Sequence, residues 1–132
     1  MKVLVTGSSG LIGSAAVRHY DSVGADVTGL DNNMRQEFFG PMGSTQWNLE
    51  RLLKETKRFT HQSVDIRSRD HVFELVKTIA PDMVIHCAAQ RYEGVLSIFI
   101  FNRIHKVSVK LPDSKGASAL HFACVNMLIQ NV

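Results

Sequence analysis

A glycine-rich turn joins a β-branched run to an amphipathic stretch at the start of this chain, and it restricts the fold more than any other feature. Val3-Leu4-Val5 within Lys2–Thr6 reads as a short buried strand. Gly7-Ser8-Ser9-Gly10-Leu11-Ile12-Gly13 follows it. Residues 11–23 then place Leu11, Ile12, Ala15, Ala16 and Val23 at helical spacing, with Gly24 just past the end as a stop. A strand, a glycine turn and a helix in that order make an anion site from backbone alone. The helix N-terminus presents unsatisfied N–H groups and the positive end of its dipole. A Cβ at Gly7 would hinder the turn, one at Gly10 would block a pyrophosphate, and one at Gly13 would push the helix off the strand. The competing reading is a glycine-rich turn that holds nothing; the junction at which the spacing falls favours the ligand.

The rest of the first 90 residues repeats the alternation. Asp26–Leu30 is a second strand, 32–47 a polar loop broken by Gly40-Pro41 and Gly43-Ser44, and 48–56 a short helix with Leu49, Leu52 and Leu53 on one side. Residues 59–64 form a third strand. Residues 70–79 form a helix through Val72, Phe73, Leu75, Val76 and Ile79, ended by Pro81, and 82–87 form a fourth strand. Strands alternating with helices predict an α/β fold, a Rossmann-like parallel sheet with helices on both faces. Right-handed crossovers order its strands 3-2-1-4. After Gln90 the pattern weakens. Residues 95–101 resemble a fifth strand, 104–111 continue as extended chain, and 117–131 suit a closing helix. The chain thus divides into a dinucleotide-binding half-domain over 1–90 and a tail over 91–132 within the same domain.

Asp31 ends the second strand, eighteen residues past Gly13, where a carboxylate can accept hydrogen bonds from an adenosine ribose. It would repel a 2′-phosphate, so the expected cofactor is NAD rather than NADP. Arg35, close by, is the residue that could weaken that preference. An ordinary turn acid is the alternative for Asp31.

These residues resemble the extended short-chain dehydrogenase/reductases, specifically the NAD-dependent nucleotide-sugar epimerase/dehydratases. Thr6-Gly7-Ser8-Ser9-Gly10-Leu11-Ile12-Gly13 is similar to their TGxxGxxG loop, and Asp65-Ile66 to their acid-hydrophobic pair, whose carboxylate meets the adenine amino group. His86-Cys87-Ala88-Ala89-Gln90 is similar to the cofactor-lining segment after their fourth strand. Asp31-Asn32-Asn33-Met34-Arg35 with Phe38-Phe39-Gly40-Pro41 resembles the branch related to CDP-paratose/tyvelose 2-epimerases. The resemblance implies a cofactor site of Gly7, Ser9, Gly10, Leu11, Ile12, Gly13, Asp31, Asn32, Arg35, Asp65, Ile66, Ala88, Ala89 and Gln90. It also implies a nucleotide-sugar substrate, oxidised at a sugar carbon by NAD and reduced again with inverted geometry.

The departures are as informative. The family's acid/base is a tyrosine followed four positions later by lysine, which lowers the tyrosine's pKa. Here Tyr20 is followed at that distance by Gly24 and Tyr92 by Leu96, and Asn102-Arg103-Ile104 stands where hydroxyl residues are expected. No catalytic residue is therefore assigned. A nucleotide-sugar enzyme incomplete as this chain, a non-enzymatic NAD-binding or interaction protein, and a truncated gene product all remain open.

Other classes are disfavoured. Cys87 and Cys124 are the two cysteines of 132 residues, too few for a disulfide framework, and no second histidine or carboxylate lies at metal-ligand spacing from His86. Apolar runs such as Ile98-Phe99-Ile100-Phe101 are far short of a membrane span, and the glycine turn interrupts the first apolar run too early for a signal peptide, so a cytoplasmic protein is expected. Lys/Arg and Asp/Glu cancel at ten each up to Gln90, and five against two afterwards give the net +3. Five scattered cations without interleaved aromatics read as a solvated face, not a nucleic-acid surface. An unfinished sheet edge after the fourth strand would invite a homo-oligomer.

Overall fold

The computed structural model describes residues 1–88 and 125–128. Four parallel strands, β1 (Lys2–Thr6), β2 (Asp26–Leu30), β3 (Phe59–Gln62) and β4 (Met83–His86), are joined in the order β3-β2-β1-β4. The connections carry α1 (Leu11–Ser22), α2 (Arg35–Phe39), α3 (Gln46–Glu55) and α4 (Arg69–Ile79). β1 lies between two neighbours and is covered on both faces, so Val3, Leu4, Val5 and Thr6 are all buried. Alternate side chains serve opposite layers. Val3, Val5, Val27 and Ile85 pack with Val17 of α1 and Leu52 of α3, whereas Leu4, Leu30 and Val84 meet Leu75, Val76 and Ile79 of α4. The continuous apolar run of β1 and the stripes of α1 and α4 thus produce the expected layers.

Two expectations are corrected. Residues 32–47 are not one loop: they hold α2, a single 3₁₀ turn at Pro41–Gly43 and the start of α3. Polar side chains build this segment in place of an apolar stripe. Asn33, at φ +58°, accepts at Oδ1 from the Thr45 N–H (2.7 Å) and hydroxyl (3.1 Å), and donates from Nδ2 to Gln36 Oε1 (2.7 Å) and Ser44 Oγ (3.2 Å). The closing helix expected over 117–131 also fails. Val125–Leu128 is a strand, β5, paired antiparallel with β4 from Met83↔Leu128 to His86↔Val125. So short a run, Val125-Asn126-Met127-Leu128, suits either state, and the outer edge of β4 supplies the ladder that decides it. The fifth strand of the sheet is therefore Val125–Leu128; the strand expected at 95–101 and the extended stretch at 104–111 lie outside the described residues. α4 stops at Ile79, where Ala80 takes a left-handed conformation (φ +47°) before Pro81. No helix among the described residues is long and apolar enough to cross a membrane.

Candidate functional site

The carboxyl ends of β1, β2 and β4 converge on the turn between β1 and α1. Gly7 takes φ +66° and its N–H donates to Leu30 O (2.7 Å), which locks the turn to the end of β2. On its other side Gly7 abuts the chain leaving β4: a Cβ there would lie 2.8 Å from the Ala88 nitrogen. Gly13 seats α1 on the turn, since a Cβ would stand 2.1 Å from Gly7 O. Gly10 differs from both. It is the N-cap of α1, and the one atom its Cβ would approach is Gly7 O at 3.2 Å. Among the described residues nothing else stands in front of Gly10, and α1 has no capping side chain and no acid in its first turn. The first-turn N–H groups of Leu11, Ile12 and Gly13 lack partners within the helix, as at any helix start. Leu11 and Ile12 are exposed and flank this opening.

Asp31 stands at the rim. Its Oδ2 accepts from the Ser9 N–H (3.0 Å) and its Oδ1 from the Asn33 N–H (2.8 Å), so the carboxylate ties the turn to the segment after β2. Asn32 caps the following turn, its Oδ1 accepting from Met34 N–H (3.3 Å). Arg35 lies at the start of α2 with its guanidinium 5.5 Å from the centre of the Phe39 ring. Beyond β3, Asp65 is half-buried beside Ile66, and Arg67 grips both Asp65 oxygens, at 2.6 and 3.0 Å. That side-chain bond holds the Asp65 carboxyl below its ordinary range. The structure thus brings Gly7, Ser9, Gly10, Leu11, Ile12, Gly13, Asp31 and Ala88 to one turn. Asn32, Arg35, Asp65 and Ile66 lie on the segments after β2 and β3, and Ala89 and Gln90 fall outside the described residues.

Sequence reasoning missed the supports of this turn. Ser8 is fully buried against β2, and a Cβ on Gly29 would fall 2.4 Å from Ser8 Oγ. A glycine inside a strand pattern is the signal that could have found this close approach. Asn48, buried on α3, donates from Nδ2 to Ser9 O (2.8 Å) and accepts at Oδ1 from Arg18 (3.1 Å). Arg18 in turn pairs with Glu55 (3.1 Å), which Arg51 also holds (2.6 Å). Asn48→Leu keeps the volume but strips Ser9 O of its donor, and an unsatisfied buried polar group costs about 1–3 kcal/mol. A urea-unfolding curve should show a loss in that range; no change would mean that the Asn48 contact contributes nothing net.

Two histidines border the site. His86, largely buried at the end of β4, shares a 2.7 Å hydrogen bond between Nδ1 and Thr6 Oγ1, and the Ala88 N–H reaches the same hydroxyl (3.4 Å). Burial lowers the His86 pKa; it also lowers that of His61 on β3, where the charge of Asp31 opposes it. Because both folded pKa values lie below the unfolded one, the unfolded chain binds more protons as pH falls below the ordinary imidazole range. Stability should be full above that range and fall as pH drops through the folded values. Thermal melts between pH 7.5 and 5 would check this, with a shallower slope expected for His86→Gln. No group of three or more His, Cys, Asp or Glu side chains that could hold a metal occurs among the described residues.

Known proteins resemble this chain in sequence and fold. Residues 3–97 match the family model described as the NAD dependent epimerase/dehydratase family. A probable dTDP-glucose 4,6-dehydratase of Sinorhizobium fredii is 33% identical over 92 residues, which is 70% of this chain and 24% of that protein. The dTDP-glucose 4,6-dehydratase of Salmonella typhimurium is 33% identical over 95 residues, with the same shares covered. Among solved structures, a UDP-glucose-4-epimerase from Stenotrophomonas maltophila with bound NAD and formylated UDP-arabinopyranose superposes with a TM-score of 0.56. It is 31% identical, over 70% of this chain and 25% of the epimerase. The chain therefore spans about a quarter of the length of the relatives it matches.

Proposed function

This chain belongs to the NAD dependent epimerase/dehydratase family, and from that membership we propose that it binds NAD through the β1–α1 turn and the ends of β2 and β3. The observation that carries the proposal is the space left at Gly10 by the described residues in front of the α1 N-terminus, with the Asp31 carboxylate beside it. The N–H groups of the first turn of α1 hold the pyrophosphate, to which a helix start offers donors and a favourable dipole. Asp31 accepts from the adenosine ribose hydroxyls, and Asn32 lies beside it at the rim. Asp65 accepts from the adenine amino group, sharing its oxygens with Arg67, and Ile66 lies along the ring. Ala88 lines the site past β4, and the family resemblance gives Ala89 and Gln90, outside the described residues, the same role. Arg35 is engaged with Phe39, which leaves the Asp31 charge to discriminate against a 2′-phosphate.

NAD supplies a hydride acceptor and donor, and the substrate class is a nucleotide sugar. Acid–base help of the family's tyrosine type is worth roughly 10²–10⁴-fold. Within these 132 residues neither Tyr20 nor Tyr92 has the lysine that would tune it. That observation favours a second reading, in which this chain binds the dinucleotide without turning over a sugar. Calorimetric titration of the purified chain with NAD tests the first reading: saturable one-to-one binding is expected, and no heat at millimolar NAD would reject it. An assay with NAD and a panel of UDP-, CDP- and dTDP-sugars separates the two, and the expected result is cofactor binding without product.

A further inference from the structure

Gly29 is opposite His61 in the β2–β3 register, and the ladder runs on through the Asp31 N–H to Gln62 O (3.2 Å). Side chains two apart on a strand share a face, so positions 29, 31, 59 and 61 all lie under α1 and α3. Gly29 contributes no side chain there; Ser8 Oγ occupies its place, with Phe59 alongside. His61 is thus a diagonal neighbour of Asp31 on a face where Ser8 and Ser9 bring hydroxyls and no charge. Its Nδ1 is buried without a hydrogen-bond partner among the described residues.

The charges around His61 are few. β2 supplies Asp31. The β1–α1 turn supplies none. α3 turns Asn48, Leu49 and Leu52 inward, and Arg18 of α1 and Arg51 of α3 are both paired with Glu55. Past β3, Asp65 and Arg67 neutralise one another. Asp31 is the charge that acts on the His61 imidazole, favouring its protonated form against the cost of burial.

We propose that His61 sets how strongly Asp31 selects between the two nicotinamide dinucleotides: a neutral His61 leaves the carboxylate to accept from a ribose and repel a 2′-phosphate, and a protonated His61 offsets that charge and admits the phosphorylated form. The inference rests on the NAD reading above. Linkage makes the coupling reciprocal: the protonated imidazole keeps Asp31 ionised, and its positive charge beside the carboxylate offsets the repulsion that a 2′-phosphate meets there. Lowering the pH should therefore narrow the preference for NAD. The 2′-phosphate also gains a proton near pH 6, but it does so equally whichever residue stands at position 61.

The test compares the unsubstituted chain with His61→Gln by titrating NAD and NADP at pH 8 and pH 5.5. Between those values the NAD:NADP affinity ratio should fall about three- to tenfold further in the unsubstituted chain than in His61→Gln, equivalent to about 0.7–1.4 kcal/mol at 1.4 kcal/mol per decade. A second measurement needs no cofactor: the His61 ring titration, followed by NMR, should move to lower pH in Asp31→Asn. An equal pH response in the two chains, or an unmoved His61 titration in Asp31→Asn, overturns this inference while NAD binding stands. Failure to bind either dinucleotide at both pH values overturns the NAD reading and this one with it.

Discussion

Gly10→Val should leave the chain folded and remove dinucleotide binding, whereas Gly13→Ala should destabilise the fold. The two glycines lie three residues apart in one loop, yet their surroundings differ. At Gly10 the backbone is extended at the N-cap (φ −72°, ψ 174°), a conformation valine adopts, and among the described residues its Cβ would meet Gly7 O alone, at 3.2 Å, a contact relieved by a shift of a few tenths of an ångström rather than the rebuilding Gly13 would need. The isopropyl group would instead fill the space assigned to the pyrophosphate. Losing two hydrogen bonds to a charged group, at roughly 1.5–3 kcal/mol each, would weaken binding at least about a hundredfold. At Gly13 a methyl group would stand 2.1 Å from Gly7 O and 2.8 Å from Gly7 C, atoms of a turn itself fixed to Leu30 and packed on Ala88. Alanine gains about 1 kcal/mol in helix propensity, but overpacking against backbone costs about 1–3 kcal/mol or more, a large part of the stability of a small domain. Circular dichroism melts and NAD calorimetry on both variants decide the matter. Tight binding by Gly10→Val would place the pyrophosphate elsewhere, and an unchanged melting temperature for Gly13→Ala would show that α1 can move off the turn.

Asp31→Ala should weaken NAD binding about ten- to hundredfold and abolish the preference over NADP. That range corresponds to one hydrogen bond to a charged group, at roughly 1.5–3 kcal/mol. The carboxylate also accepts from the Ser9 and Asn33 N–H groups, so its removal frees the turn on one side and the segment after β2 on the other. Asp31→Asn separates the two effects. It keeps an acceptor for one of the two backbone donors and loses the charge, so it should retain more of the stability than Asp31→Ala and lose the discrimination. Equal affinities of the unsubstituted chain for NAD and NADP, or unchanged NAD affinity in Asp31→Ala, would reduce Asp31 to a turn residue.

What the sequence revealed and what it hid follow a physical division. β1, α1, β2, α4 and β4 were legible because each buries apolar residues at the period of its own geometry, as Val3 and Val5 do against α1 while Leu4 faces α4. The Gly7–Gly13 turn was legible because its glycines answer a steric demand that has few solutions. The segment after β2 was not, because Asn33, Ser44 and Thr45 build it by side-chain hydrogen bonds that leave no periodic trace. Asn48 was hidden for the same reason: its partner, Ser9 O, is 39 residues away in the chain. β5 was misread because four residues, three of them apolar, carry no preference strong enough to outweigh an edge waiting to be paired. Family membership rests on residues 3–97 and so draws mainly on the legible part.

The placement of β4 beside β1 bears on the order in which this chain folds. Val3 meets Val27 across 24 residues and Val27 meets Phe59 across 32, but Val3 meets Met83 across 80. Closing the longer loop costs more chain entropy, so β1, β2 and β3 can assemble before β4 arrives. The seam between Gly7 and Ala88 belongs to that late closure, and it should be among the first to open when the native state fluctuates. Amide exchange at Val84 and Ile85 would report its opening rate. A dinucleotide bound across the seam would hold a late-forming contact shut, so it should slow unfolding much more than it speeds folding.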